Sequence, residues 1–369
     1  MQSECKDYCS TMGNSIRRAL SGLPGPIMIT GHTGFKGVWM TLLLERLGVD
    51  VVGLALAPKE NSLYANLGRV GKIQERFTDI RNYDDVLEFV ELVKPSVVFH
   101  FAAQPLVLDS FTHPRETFEV NTLGTVNILD IAQNSKAINI VITTTTDKVY
   151  KNDNSGKLFS EEDALEGLDP YSASKVAAEA AVKAWQVVSS SSGRPKFISV
   201  RSGNVIGGGD TAENRLLPDI VKSLINQESI VLRNPDSTRP WQHVLDPLHG
   251  YLLVLAKGID GDCSEAYNFG PSSKSISVDE VAKIALRVWE SDQPITVLPR
   301  LDNIKKEANI LNLNSDKARE ELKWKSVWSQ QESIENTIKW WHKVFIQKLD
   351  INSACQSDID KLFEVLTWD

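Results

Sequence analysis

Cysteine is scarce in this 369-residue chain: it has four, Cys5, Cys9, Cys263 and Cys355. Cys5 and Cys9 lack the second closely spaced pair that a structural zinc site needs. Dispersed thiols in a chain of this length suit a reducing compartment, so a cytoplasmic protein is expected. Long apolar runs are missing as well. No stretch approaches the ~18–20 residues required to cross a bilayer, and the segment around Met40 to Leu44 is broken by charge within a few positions. The N-terminus carries Glu4, Lys6, Asp7, Arg17 and Arg18 without a continuous apolar core, and so does not read as a secretory signal. A positive balance is also lacking. Acidic residues outnumber basic ones 48 to 40, for a formal charge of -8. Such a surface repels phosphate backbones, so neither nucleic acid nor membrane is expected as a partner.

What remains is ordinary globular material, 42% hydrophobic and 24% charged. At roughly 150 residues per domain the length allows two to three domains. Residues 1–25 read as an extension, because regular patterning starts at Pro26. From there strands and helices alternate. Strands are expected over Ile27 to Thr30, Val51 to Leu56, up to about Phe77, over Val97 to Phe101, Ile138 to Thr145 and Phe197 to Val200. Helices are expected over Val38 to Leu47, Tyr83 to Val93, Glu116 to Gln133 and Tyr171 to Val188. That alternation predicts an α/β fold, a doubly wound parallel sheet covered on both faces. The dinucleotide-binding part should span 26–200, with a return segment near 241–270. A smaller C-terminal α/β substrate domain should take 201–240 and 271–348, leaving 349–369 as a tail.

Three groups of residues carry the chemistry. Thr30 to Gly37, TGHTGFKG, follows the first strand and opens the first helix. Glycines at 31, 34 and 37 let the backbone approach a pyrophosphate at a helix N-terminus, which is dinucleotide chemistry. Without GKS or GKT it is no ATP-hydrolysing P-loop. The end of the second strand (Ala55, Ala57, Lys59) has no ribose-binding acid, and Asp79-Ile80 after the third strand reads either as a contact for an adenine edge or as an ordinary loop pair. Tyr171 and Lys175 lie four apart at the start of a helix and share a face. An ammonium there is expected to lower the tyrosine pKa toward the working range, and the lysine can grip a nicotinamide ribose. The β-branched strand ends in Thr144-Thr145-Thr146-Asp147-Lys148, at the sheet edge where ligands bind. His32, His100 and His243 read as structural, and their spacing suits no metal site. The tryptophans Trp324, Trp328, Trp340 and Trp341 read as packing for the last helix.

Together these residues resemble the extended short-chain dehydrogenase/reductases (the NAD-dependent epimerase/dehydratase family), and within them the CDP-glucose 4,6-dehydratases. The likeness runs over roughly residues 26–345. It rests on TGHTGFKG, His100 to Pro105 (HFAAQP), Asn121 to Thr125 (NTLGT), Thr145 to Tyr150 (TTDKVY) and Tyr171 to Lys175 (YSASK). It continues through Arg201 to Asp210 (RSGNVIGGGD), Arg215 to Asp219 (RLLPD) and Arg233 to Pro247 (RNPDSTRPWQHVLDP). Thr211 departs from the tryptophan usual after GGGD.

The resemblance implies a hydro-lyase with NAD as cofactor. It would oxidise a CDP-glucose at C4, lose water across C5–C6 and re-reduce C6, yielding CDP-4-keto-6-deoxyglucose for deoxysugar and surface polysaccharide biosynthesis. Tyr171 would take the C4 hydroxyl proton, assisted by Thr146 and Lys175. Asp147 would protonate the departing C6 hydroxyl. Lys148 would serve as the C5 base or stabilise the enolate. Cofactor contacts are implied for Gly31, Gly34, Phe35, Lys36, Gly37, Asp79, Ile80, Ala102, Ala103, Asn121, Thr144, Tyr171 and Lys175. Substrate contacts are implied for Gln104, Asn204, Arg215 and Arg239. A homodimer or homotetramer is expected from the small and apolar residues on the helices Glu116 to Gln133 and Tyr171 to Val188. A 4-epimerase, a dehydratase for another nucleotide sugar, and a non-catalytic nucleotide sensor stay open. The sensor would be expected to have lost Tyr171 or Lys175.

Overall fold

The computed structural model describes residues 16–191, 193–272, 275–298 and 311–366. Cys5 and Cys9 lie outside them. β1 (Ile27–Thr30) leads into α1 (Phe35–Arg46), followed by β2 (Val51–Ala55), β3 (Gln74–Phe77), α2 (Tyr83–Val93) and β4 (Val97–His100). After short helical pieces come α3 (Gly124–Asn134), β5 (Ile140–Thr144), α4 (Pro170–Ser189) and β6 (Lys196–Ser202). The chain continues through β7 (Asn204–Ile206), α5 (Leu216–Asn226), β8 (Trp241–His243), α6 (Leu245–Asp260) and β9 (Ala266–Phe269). Helices α7 (Val278–Trp289), α8 (Gln330–Phe345) and α9 (Ile351–Leu366) complete it.

Seven strands form one sheet in the order β9-β6-β5-β4-β1-β2-β3, and every neighbouring pair is parallel. β1, β2, β4 and β5 are buried on both faces, which explains their apolar character, whereas the edge strand β3 (QERF) is exposed or half-buried throughout. Period two sorts their side chains. Ile27, Ile29, Phe99, Ile142 and Val200 face the layer containing α1 and α6. Met28, Val98, Val141 and Phe197 face α2, α3 and α4. The order reverses between β1 and β4, and ligands of doubly wound sheets bind beyond the strand ends at such a switch. Ala266–Phe269 enters the sheet as β9, with Asn268 opposite Arg201.

The smaller part is built from short pairings. β7 pairs with β8 in parallel, and Thr238–Arg239 pairs antiparallel with Ile276–Ser277. Helices α7 and α8 pack on these, and α5 packs on α7 and α8.

The structure departs from the sequence reading in three places. The helix expected over Glu116 to Gln133 is interrupted: Pro114–Phe118 is α-helical, Glu119–Leu123 is a π turn, and α3 resumes at Gly124. Within the segment expected as a tail, α9 occupies Ile351–Leu366 and buries Cys355, Ile359 and Leu362. Within the extension, residues 16–21 are helical, and Ile16, Ala19 and Leu20 join the main core.

Candidate active site

The loop after β1 is shaped by two glycines that tolerate no Cβ. Gly31 has φ +75, a left-handed conformation, and a Cβ there would lie 2.7 Å from the Ala102 nitrogen. A Cβ on Gly37 would lie 2.2 Å from the Gly31 carbonyl oxygen. α1 can therefore start tight against the loop. Its N-cap, Gly34, offers no side chain, and the first turn holds no acid. The first-turn N–H groups and the positive dipole end are thus free of an internal anion. Thr30 and His100 brace the floor. Thr30 Oγ1 meets His100 Nδ1 at 2.7 Å, and His100 Nε2 meets Thr125 Oγ1 at 3.0 Å. Burial pushes His100 down to about 3, so it is a neutral, structural ring.

Tyr171 is placed by the start of α4. Asp169 caps the helix, accepting from Ser172 N at 2.9 Å, and Pro170 occupies the first turn. Tyr171 and Lys175 then point to the end of β5, both buried, and Lys175 Nζ donates to the Thr144 carbonyl at 3.3 Å. Thr146 leaves the strand and caps the single turn Asp147–Val149, accepting from Lys148 N at 3.3 Å. Its hydroxyl is 3.0 Å from Asp147 Oδ1 and also within hydrogen-bonding reach of the Tyr171 oxygen. Asp147 is 2% exposed. Gly203 makes room for it, because a Cβ there would sit 3.0 Å from Asp147 Oδ2 and 3.1 Å from Pro240. The absence of that Cβ leaves Pro240, the residue after Arg239, close to the Gly203 backbone.

The electrostatics correct one expectation. Tyr171 is not lowered: burial pushes it up to about 12, and the Asp147 charge adds to that, while Thr146 and Arg215 act the other way. Burial pushes Lys175 down to about 8, against the pull of Glu179. Lys36 turns inward from α1, donates to Ser202 Oγ at 2.8 Å, and is pushed down to about 7 by burial and by Arg215 and Lys175. Ser202 in turn accepts from the Tyr251 hydroxyl at 3.0 Å.

The remaining sequence-derived residues fall into two groups. Near this centre, Arg215 precedes α5, bonds Asp210 Oδ2 at 3.2 Å and acts on both Lys36 and Tyr171. Asn204 opens β7 opposite Trp241, and Arg239 donates to its neighbour's carbonyl, Thr238 O, at 2.9 Å. Phe35 lies at the start of α1, and Ala102 and Ala103 follow β4 beside Gly31. Lys148 is half-buried in the turn after β5. The second group is engaged with the fold. Gln104 folds into its own loop, donating to Leu106 O and Asp109 Oδ2 at 3.1 and 3.0 Å. Asn121, on the π turn, bonds the Gln104 backbone and Ser174 Oγ, clamping that loop to α4. Asp79 is gripped by Arg81, and Ile80 packs under Gly124. His32 is held by Glu75 at 2.8 Å. Thr211 lines a cavity of about 270 Å³ with Leu63, Trp340, Trp341 and Phe345, and none of the residues around Tyr171 lines it. No role was expected for Glu179, Arg201, Ser202 or Tyr251, although Arg201 and Ser202 open the RSGNVIGGGD run and Glu179 is an acid four residues after Lys175 on the same face.

The profile of the NAD dependent epimerase/dehydratase family matches residues 27–270. The chain is 36% identical over 353 residues to the CDP-glucose 4,6-dehydratase of Salmonella typhimurium, covering 92% of this chain and 97% of that protein. It is 26% identical to the UDP-glucose 4-epimerase of Lacticaseibacillus casei, covering 86% of this chain and 96% of the relative. Among solved structures it superposes on a dTDP-glucose 4,6-dehydratase from Streptomyces venezuelae with NAD and TYD bound. The TM-score is 0.74 at 23% identity, over 86% of this chain and 97% of that one. At that identity the superposition establishes the fold.

Proposed function

The chain belongs to the NAD dependent epimerase/dehydratase family, and from that premise we propose that it is a hydro-lyase, a sugar-nucleotide 4,6-dehydratase acting on CDP-glucose. One observation carries the reading: a buried carboxyl, Asp147, next to Thr146 and Tyr171 at the sheet edge, with Lys148 following. A 4-epimerase needs no acid at C6, whereas elimination of the C6 hydroxyl does.

The loop at Gly31 and Gly37 fits the pyrophosphate of a dinucleotide, since side chains are excluded where that group approaches and the helix end is uncapped. Bound NAD supplies the hydride acceptor, the later hydride donor and, when oxidised, a positive charge. Gly31, Gly34, Phe35, Lys36, Gly37, Ala102, Ala103 and Thr144 would hold it, with Lys175 at the nicotinamide ribose and Asp79 and Ile80 at the adenine end. Tyr171, as the phenolate, would take the C4 hydroxyl proton. Burial and Asp147 oppose its ionisation, while Arg215 and the Thr146 hydroxyl favour it. Once C4 is a ketone, the C5 proton is acidic. Lys148, as the neutral amine, would take the C5 proton and as the resulting ammonium would hold the enolate, while Asp147 in its protonated form would give its proton to the departing C6 hydroxyl. Asn204, Arg215 and Arg239 would grip the sugar and diphosphate, and Gln104 would join them only by leaving its loop contacts.

The same reading divides the chain into a cofactor part, 26–200 with 241–270, and a substrate part, 201–240 with 271–348, working in the cytoplasm in deoxysugar synthesis. A homodimer or homotetramer is supported by Leu108, Phe118 and Leu123, which stay 47%, 39% and 56% exposed beside α4. Sedimentation showing a concentration-independent monomer would refute that part. The function is tested by incubating the protein with a panel of nucleotide-glucoses and weighing the products. Loss of one water from CDP-glucose alone supports the proposal. Interconversion at unchanged mass would make the protein an epimerase.

A further inference from the structure

Glu179 lies one helical turn beyond Lys175 and two beyond Tyr171 on α4, so the three side chains share a face. Glu179 and its partner Arg201 on β6 are each 5% exposed. Glu179 Oε1 accepts from the Ser199 hydroxyl at 2.6 Å, from Arg201 Nε at 2.9 Å, and from the Thr145 hydroxyl. Oε2 accepts from Arg201 Nη2 at 2.8 Å. Arg201 Nη1 donates to the Tyr150 hydroxyl at 2.8 Å, which donates to Asn268 Oδ1 at 2.7 Å. One carboxylate thus ties α4 to the ends of β5 and β6 and, through Tyr150, to β9.

A buried ion pair is a weak source of stability, because apolar residues of similar volume often serve as well. Its effect here is geometric. Thr145 immediately precedes Thr146 and Asp147, and its side chain is anchored downward on Glu179. Thr145 adjoins Thr146, so anchoring its side chain on Glu179 fixes the backbone from which the Thr146 hydroxyl reaches Tyr171 and Asp147. Lys175 meets the same strand end at Thr144 O.

Resting on the Tyr171 centre as the reaction site, we propose that Glu179, gripped by Arg201, is a positioning residue. It locks the end of β5 so that Thr146 and Asp147 meet the substrate, and it sets a negative charge one turn from the Lys175 ammonium. The charged or titratable groups around Lys175 are Tyr171 and Glu179 on its own helix, Lys36 from α1 and the neutral His100 from β4. Arg215 and Asp147 face the adjoining Lys36. Glu179 is the group that favours the charged form of Lys175 against burial. Its loss therefore makes Lys175 deprotonate at lower pH.

The test is Glu179→Gln in the full-length holoenzyme, with kcat and KM for CDP-glucose measured across pH. The expected result is a kcat lower by about 10²-fold, the order that misplacement of about 1 Å costs. KM should stay within about twofold, as for an interaction absent from ground-state binding. The alkaline limb of the kcat profile should move down by about half a pH unit or more. The glutamine leaves the guanidinium without a counter-charge, so Glu179→Leu/Arg201→Met is the companion variant. It removes both charges and is expected to fold with the same catalytic defect. A lowered melting temperature with wild-type kcat and an unmoved limb in either variant overturns the proposal. Should the wild type fail to dehydrate any nucleotide-glucose, the ¹⁵N titration of the Lys175 ammonium, assigned with Lys175→Arg, still decides. An unchanged Lys175 titration in Glu179→Gln overturns the positioning role, and a lower one supports it.

Discussion

Replacing Asp147 by Asn separates the two halves of the proposed reaction. The change is isosteric at a site with no spare room, since Asp147 is 2% exposed and Oδ2 lies where only a glycine at 203 leaves space. The amide oxygen can still accept from Thr146, now 3.0 Å from Oδ1, so the turn after β5 should persist. What disappears is a carboxyl that donates a proton in its protonated form and carries a negative charge in its ionised form. The Asp147 charge helps hold the Tyr171 phenol above its ordinary value, so removing it eases Tyr171 ionisation and does not impede the first oxidation. It also favours the ammonium of Lys36, so Lys36, already near 7, should fall further. A general acid typically contributes about 10²–10⁴-fold, which is about 2.7–5.4 kcal/mol of activation free energy at 1.36 kcal/mol per decade. The elimination step should slow by that factor while oxidation continues. Rapid quenching followed by mass spectrometry should reveal a sugar nucleotide lighter by two hydrogens building up ahead of the product lighter by one water. Suppose the variant binds CDP-glucose but forms neither species in a single turnover. Asp147 would then be needed to shape the site or to start the oxidation, and its role as the C6 acid would be wrong.

Tyr171→Phe removes only the phenolic oxygen, so turnover should fall by about 10²–10⁴-fold with an unchanged melting curve; retention of most activity would sink the assignment. Gly37→Ala drives a Cβ to 2.2 Å from the Gly31 carbonyl oxygen, backbone against backbone. It should lower stability by about 1–3 kcal/mol and weaken NAD binding in a fluorescence titration, and unaltered affinity would contradict the loop's role. Asp246 is buried and its carboxyl is pushed up to about 7 by that burial, although Val327 N and Ser326 Oγ bond it at 2.6 and 2.9 Å. The unfolded chain releases that proton near pH ~3.9. The folded state therefore holds an extra proton between the two values, and the associated stability is lost as pH rises through about 7. Asp246→Asn should gain in melting temperature relative to wild type between pH 5 and 8, and an offset independent of pH would refute the argument.

Much of this protein is local, and the local part was legible. β-branched runs form strands, the Ala-rich stretch behind Asp169 and Pro170 forms α4, and glycines at 31 and 37 mark where a backbone must come close. Spacing alone put Tyr171 and Lys175 on one face and Thr146-Asp147 at a strand end. Other features depend on partners distant in the chain. The π turn at Glu119–Leu123 aims Asn121 at Ser174, and nothing in its own residues announces that. α9 is helical over a segment that read as a tail, because its apolar face finds a core to cover. Gln104 is spent on its own loop. Tyr171 is raised and not lowered, since desolvation depends on how deeply the folded chain buries a phenol, and sequence spacing carries no information about depth. Glu179 and Arg201 are 22 residues apart and meet only when α4 lies across β6. Short-range geometry follows from residue type, whereas burial and long-range pairing exist only after the layers have packed.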